Sequence, residues 1–450
     1  MELPIAVDRS SPVPLAVQVA DAVRAATAGG GLQAGDRLPS TRAMAAALGV
    51  SRTVTATAYD QLLAEGWVAG RRGAGTFVVA VPAAAPVRAP RGARRAAPPL
   101  LDLHAGRPCR AVVDGAAWRR AWRAAADDPP DADPDPVGLP AFREAVVEHL
   151  LRHRGLPADP DAVLATGGST ATLAELARTL PAGARVAVED PGYRRGADAV
   201  AAAGLTVVPV PVDGDGLVVE ALPARLAGVV VTPAHQYPLG GRMSAARRVA
   251  LVARARAEGL LVVEDDYDGE LRYDVAPLPL LAALGPDVVA HLGTASKLLT
   301  PTLGVGWLVA PPAVRAAVLD LRDRTGGRPA RAGQRVFAAL AAHGDLGRHL
   351  RRLRGELAGR RRAVIDAVAA AGREVRGEAA GAHVVVPLAG PAEERAVVAA
   401  AAARGVALDG LARHHAGEPA GGGVVVGYAG PTRDELGRAL LVVTGVLRGG

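Results

Sequence analysis

Asparagine is absent from these 450 residues, and lysine and cysteine occur once each, as Lys297 and Cys109. One cysteine excludes an internal disulfide and suits a reducing cytosol. No apolar run approaches the ~20 residues needed to cross a bilayer, because Pro, Asp or Arg interrupts each one. The opening Met1-Glu-Leu-Pro-Ile-Ala-Val-Asp8 lacks the basic start and long apolar stretch of a secretion signal. Together these absences predict a cytoplasmic protein with no membrane partner. The scarcity of lysine says most. All but one of the 52 basic residues are arginine, so lysine has given way wherever a positive charge sufficed. Arginine stays protonated in proteins, whereas a desolvated lysine becomes a neutral amine that can attack an aldehyde. Lys297, within His291-Leu-Gly-Thr-Ala-Ser-Lys297-Leu-Leu-Thr-Pro301, is therefore the first candidate for chemistry.

Half of the residues are hydrophobic, enough for a large core, and the length fits about two to four domains. A formal net charge of +7 permits a polyanionic partner. The excess does not single out the N-terminus: residues 1–80 hold seven Arg against six Asp and Glu. Pattern marks these residues instead. Leu15 to Ala26 has helical apolar periodicity. Ser40 caps a second helix, Arg42 to Leu48, which Gly49 stops, and Ser51 caps a third, Arg52 to Ala64. Two short helices joined by a tight glycine-containing turn form a helix-turn-helix signature. Residues 65–79 then read as two short strands around a Gly/Arg turn, a wing. Residues 81–99, rich in Pro, Ala and Arg, read as a linker whose arginines are either solvated or rest on phosphates.

From residue 100 the chain reads as α/β. Strand-like runs at 185–189, 206–212, 228–232, 260–265, 288–293 and 303–309 alternate with helical stretches at 170–179, 194–203 and 244–258. That alternation predicts a mostly parallel sheet over 100–325. Two Arg/Ala-rich helices and strands at 382–388 and 424–428 predict a small α+β domain over 326–450. Ligands of parallel sheets collect at the carboxyl ends of the strands. The apolar run 260–263 leads into Glu264-Asp-Asp-Tyr-Asp268, which places Asp265 and Tyr267 at such an end. Thr166-Gly-Gly-Ser-Thr170 opens a helix with glycines and hydroxyls, the composition of an anion cradle.

The sole lysine, the Asp265/Tyr267 pair and the doubly wound pattern resemble the fold-type I aminotransferases. The Glu264–Asp268 string, Glu189-Asp-Pro-Gly-Tyr-Arg-Arg195, Thr232-Pro-Ala-His-Gln-Tyr-Pro-Leu-Gly240 and a winged helix over nearly all of residues 10–79 resemble, more closely, the GntR-type transcriptional regulators of the MocR/GabR subfamily. The resemblance implies pyridoxal 5′-phosphate (PLP) bound as a Schiff base to Lys297. Asp265 then holds the pyridine nitrogen protonated and Tyr267 bonds the 3′-oxygen. It also implies phosphate contacts from Gly168, Ser169 and Thr170, with Thr294 and Ser296 supporting the phosphate or the lysine. Tyr193 and His235 are implied as ring contacts and Arg195 as an effector contact. Arg42, Arg52, Thr53 and Gly73 match the DNA-contacting positions. A homodimer is implied as well, and no residue points to a metal.

Two positions depart from the pattern. Relatives carry arginine seven residues after the Schiff-base lysine, where this chain has Gly304, and an α-carboxylate-clamping arginine where it has Gly430. Glycine supplies neither contact, which argues against turnover of ordinary amino acids and leaves Arg242 or another arginine to compensate. The leading expectation is a PLP-dependent DNA-binding regulator that senses PLP or an amine or amino-acid effector. The alternatives are an aminotransferase with an accessory DNA-binding domain, and a regulator whose large domain only dimerises.

Overall fold

Two serines set the N-terminal helices. The Ser40 and Ser51 hydroxyls accept from the amides of Ala43 at 3.1 Å and Val54 at 3.3 Å, caps worth about 1 kcal/mol each. In the computed structural model, which describes residues 5–71, 73–79, 100–127, 135–273, 278–419 and 421–449, they open α2 (Thr41–Leu48) and α3 (Arg52–Ala64), preceded by α1 (Leu15–Ala28). Gly49 closes α2 in a left-handed conformation. Thr55 ties the two helices by donating to the Thr41 carbonyl at 2.8 Å, and Tyr59 donates to that of Pro39 at 2.8 Å. Val19, Val23, Leu38, Met44 and Leu62 form the core beneath. The wing is an antiparallel pair, β1 (Val68–Arg71) and β2 (Gly75–Val78).

The chain divides into two compact units, Met1–Ala97 and Pro98–Gly450. The linker expected over 81–99 lies outside the described residues. In the second unit the strands are β3 (Leu101–Asp102), β4 (Val163–Thr166), β5 (Arg185–Asp190), β6 (Thr206–Asp213), β7 (Gly216–Leu217), β8 (Gly228–Val231) and β9 (Leu261–Asp266). They continue as β10 (Val289–Thr294), β11 (Gly306–Val309), β12 (His383–Leu388), β13 (Val406–Ala407), β14 (Asp409–Gly410) and β15 (Gly422–Gly427). Eight of them form one sheet in the order β4-β11-β10-β9-β8-β5-β6-β7. The four pairings from β10 across to β6 are parallel, and β11 runs antiparallel to both its neighbours. Every residue of β10 is buried, as is all but one of β9, which suits the apolar run Leu261-Val-Val263 and makes Glu264, Asp265, Asp266 and His291 buried polar groups that need partners. A second, antiparallel sheet, β12-β15-β14, belongs to the C-terminal part. Leu101 and Asp102, expected with the large domain, pair in parallel with Val406 and Ala407. That pairing folds residues 103–107 back over the carboxyl ends of the large sheet. Among the described residues no helix is long and apolar enough to cross a membrane.

Candidate functional site

Alternation along β9 decides where Glu264, Asp265 and Asp266 point. Glu264 turns down and accepts from the amides of Leu281 and Ala282 at 2.7 and 3.1 Å. Asp266 turns the same way and takes a bidentate contact from fully buried Arg154, at 2.7 and 2.9 Å. Beneath them Glu270 meets His149 at 2.8 Å; burial alone pushes its carboxyl up, but His149 and then Arg154 hold it below the usual carboxylate range. Asp265 points the other way, into a cavity of about 930 Å³, where burial pushes its carboxyl up to about 6. Its Oδ1 has no hydrogen-bond partner among the described residues.

Lys297 enters the same cavity from the loop after β10. Its ammonium donates to the Gly106 carbonyl at 2.7 Å. Burial lowers its pKa, Asp268 and Asp265 pull it back up, and the charges of Arg195 and Arg107 add to the lowering. Such an amine loses its proton more readily than an exposed lysine, the property that covalent chemistry with a carbonyl requires. Gly106 is favoured by its backbone, at φ +87°, and a Cβ there would displace the end of Lys297, lying 2.9 Å from its Nζ.

An anion cradle stands beside the lysine. Gly168, at φ +103°, caps the helix Ser169–Thr179, so the first amides of that helix face the cavity. Ser169 Oγ is buried without a well-aligned hydrogen bond among the described residues, though it lies near enough to Asp265 to hold that carboxyl's pKa down. Thr170 Oγ1 and Tyr193 Oη lie 2.8 Å apart, and Thr294 Oγ1 donates to Ser296 Oγ at 2.9 Å. Ser169, Thr170, Tyr193, Arg195, Asp265, Tyr267, Thr294, Ser296 and Lys297 all line one cavity, so nine of the sequence-derived positions converge.

His235 does not line it. The ring lies behind Tyr267, its Nδ1 3.0 Å from the Tyr267 hydroxyl and 3.0 Å from Asp268 Oδ2. The neighbouring Gln236 is structural: it donates to Glu189 at 3.1 Å and to the Pro191 carbonyl at 3.0 Å, stitching two of the family-like strings together. Glu189 itself is buried, which pushes its carboxyl up to about 7 against donation from Thr232. His235, Asp268 and His383 approach closely enough to suggest a metal. The direct His235–Asp268 contact is shorter than two coordinate bonds of about 2 Å meeting at a tetrahedral ion allow.

The mouth is cationic, and here sequence reasoning missed residues. Arg107, carried in by the β3–β13 pairing, lines the cavity and bonds Asp102 through Nη2 at 2.7 Å. It sits against the glycine that lacks the family's carboxylate clamp: a Cβ on Gly430 would lie 2.8 Å from Arg107 Cβ. Arg195 lines the cavity with no partner among the described residues. Arg242, weighed as a substitute, pairs instead with Glu378 at 3.0 Å and is not among the lining residues. Gly304 faces open space, with nothing within 4 Å of a Cβ. No local periodicity announces Arg107; only a pairing across some three hundred residues brings it to the site.

On the N-terminal unit Arg42, Arg52, Thr53 and Gly73 are all exposed, the two arginines without partners among the described residues. Arg52 and Thr53 occupy the first turn of α3, where helix-turn-helix proteins meet bases and phosphates.

Residues 99–440 match the family of class I and II aminotransferases, and residues 15–78 the gntR family of bacterial regulatory proteins. The chain is 40% identical over 368 residues to the HTH-type pyridoxine biosynthesis transcriptional regulator PdxR of Corynebacterium glutamicum, covering 81% of each chain. It is 34% identical over 380 residues to the probable rhizopine catabolism regulatory protein MocR of Rhizobium meliloti, covering 78% of this chain and 76% of that one. Among solved structures, the kynurenine aminotransferase of Pyrococcus horikoshii superposes with a TM-score of 0.71 at 24% identity, over 78% of this chain and 91% of its own. The cofactor of such a body is pyridoxal phosphate, and the donors present fit it. An unpartnered Asp265 oxygen suits a pyridinium N–H, and the buried Ser169 hydroxyl at a helix start suits a phosphate. By its head, its body and these relatives, the chain belongs to the GntR-type transcriptional regulators of the MocR/GabR subfamily, a DNA-binding winged helix joined to an aminotransferase-like, PLP-binding domain.

Proposed function

We propose that this regulator acts in the cytoplasm as a homodimer and reads PLP through Lys297 to control genes of vitamin B6 supply. The observation that carries the reading is the sole lysine, its pKa lowered by burial, sharing one cavity with Asp265 and an anion cradle. In the bound state PLP supplies an electron-withdrawing pyridinium and an aldehyde carbon for the Lys297 amine. Asp265 holds the ring nitrogen protonated, and Tyr267 donates to the 3′-oxygen. Gly168, Ser169, Thr170, Thr294 and Ser296 hold the phosphate, while Tyr193 walls the ring. Unpaired Arg195, with Arg107 beyond it, takes an anionic group of any further effector. Residues 1–80 read DNA, 81–99 tether, and 100–325 and 326–450 form the two parts of the sensing body. Arg42, Arg52 and Thr53 contact paired operator sites, with Gly73 shaping the wing.

PLP as the sensed molecule is favoured by the name of the Corynebacterium relative and by Gly430, a glycine at the position where the family carries its carboxylate-clamping arginine. Sensing requires PLP to bind one arrangement of the protein more tightly than another, since equal affinities shift nothing. Footprinting of the DNA upstream of the gene for this chain, with and without PLP, tests the proposal. The expected result is a footprint whose affinity or extent PLP changes in the wild type and not in Lys297→Ala. Repeated turnover of an amino donor with no effect of PLP on the footprint would favour the aminotransferase alternative. That alternative draws little from the relatives: the curated aromatic-amino-acid aminotransferase 1 of Thermococcus litoralis aligns with 39% of this chain.

A further inference from the structure

Tyr267 and Asp268 in the cavity wall, with His235 behind them, form a chain of three polar side chains that a PLP site does not by itself require. His235 Nδ1 stands 3.0 Å from Asp268 Oδ2, 3.2 Å from Asp268 Oδ1 and 3.0 Å from the Tyr267 hydroxyl. His235 and Asp268 are both about 3% exposed, and His235 Nε2 has no partner among the described residues. One ring nitrogen thus faces three oxygens on two side chains, and it can donate only one hydrogen. A carboxylate accepts and never donates, so Nδ1 must carry the hydrogen and point it at Asp268. The lone pair that could have taken the phenolic hydrogen is thereby removed. Tyr267 keeps its proton, because burial and the nearby carboxylates hold its pKa well above the usual phenol range. That hydrogen has two settings in the ring plane, and the one toward His235 now meets another N–H. The remaining setting faces the cavity, which Tyr267 and Asp268 both line. His383, the other titratable group packed on His235, spends its Nε2 on the Pro238 carbonyl at 3.0 Å and is kept neutral by burial.

We propose that Asp268 is a positioning residue: by fixing His235 in its Nδ1–H form, it forces the Tyr267 hydroxyl to donate into the cavity, toward an anionic oxygen of the ligand. This rests on the PLP reading, in which that oxygen is the ring 3′-oxygen. A hydrogen bond donated there stabilises the oxygen's negative charge and draws it away from the proton on the lysine-linked nitrogen. Losing the donor therefore raises the pH midpoint of the yellow band of the PLP-loaded protein. Tyr267→Phe should raise it by about one to two pH units, the range of a hydrogen bond to a charged group. In Asp268→Asn the new side-chain amide donates to Nδ1, the tautomer flips, and the phenolic hydrogen turns inward. Asp268→Asn also removes a negative charge beside Lys297, which by itself lowers the midpoint. A double-mutant cycle separates the two effects. The proposal predicts that Asp268→Asn acts at least one pH unit more upward in the wild-type background than in the Tyr267→Phe background; equal shifts in both overturn it. Because Asp268→Asn can compromise folding at so buried a position, a second measurement uses PLP-free wild-type protein. In ring-¹⁵N histidine NMR, with His235→Gln supplying the assignment, His235 should appear as the Nδ1–H tautomer, and an Nε2–H tautomer refutes the relay. Absence of any Lys297-dependent yellow band would sink the cofactor reading alone, leaving the tautomer to decide the relay.

Discussion

Arg154 offers the sharpest test of how the site is built. Its guanidinium is fully buried and grips Asp266 at 2.7 and 2.9 Å while reaching the Gly269 carbonyl at 3.1 Å. Arg154→Met keeps the volume and strands Asp266, whose side chain is 2% exposed. Breaking a buried pair from one side costs about 3–5 kcal/mol. A ceiling follows from the alternative open to the carboxylate, which is to take up a proton. Protonating an ordinary aspartate at pH 7 costs about 4 kcal/mol, and at pH 5 about 1.5 kcal/mol. In the variant the folded-state pKa of Asp266 rises further above its unfolded value, so the native state holds a proton that the unfolded chain releases as pH climbs past about 4. The deficit must therefore grow from pH 5 to pH 7, by up to about 2.7 kcal/mol. Urea unfolding followed by tryptophan fluorescence reads it, since Trp118, Trp122 and Trp307 all lie in the second unit. The double variant Arg154→Met/Asp266→Leu removes the stranded charge and should recover most of the loss. A deficit below about 1 kcal/mol at pH 7, or one that does not shrink toward pH 5, would refute the reasoning.

Arg52→Ala should weaken operator and non-operator DNA alike and lower the slope of log K against log salt by about one, as removal of a phosphate contact does; an unchanged slope in filter-binding titrations would move Arg52 off the DNA. Gly304→Arg has open space to enter but a φ of +56° to tolerate, so it should cost about 1 kcal/mol in a thermal melt. If its guanidinium reaches the phosphate, PLP affinity should rise about tenfold, and unchanged affinity would place Gly304 away from the phosphate. Gly430→Arg should not create an amino-acid clamp, because its Cβ collides with Arg107; overpacking by about 1–3 kcal/mol is expected in the melt, and wild-type stability would show that the Arg107 loop yields freely.

Local patterns carried the head and the large sheet. Ser40, Gly49 and Ser51 bracket their helices within a residue of the expected bounds because capping is a local contest among neighbouring amides. Scarcity picks out Lys297 and the end of an apolar run picks out Asp265, and both line the cavity. What stayed hidden depends on contacts far apart in the chain. Arg154 meets Asp266 across 112 residues, and Lys297 meets Gly106 across 191. Nothing near Arg107 marks it as a cavity residue, since the β3–β13 pairing alone brings it there. His235 was legible as important but not in its place: the string placed it at the ring, whereas its neighbours Asp268 and Gly381 draw it behind Tyr267.

The central claim is a covalent bond between the single lysine and an aldehyde vitamer. Borohydride reduction of the PLP-treated protein, followed by peptide mass spectrometry, tests it directly, because Lys297 is the one lysine of these 450 residues. The account predicts a pyridoxyl-phosphate adduct on the peptide containing Lys297 and on no other internal peptide. An unmodified Lys297 peptide after saturation with PLP would contradict it.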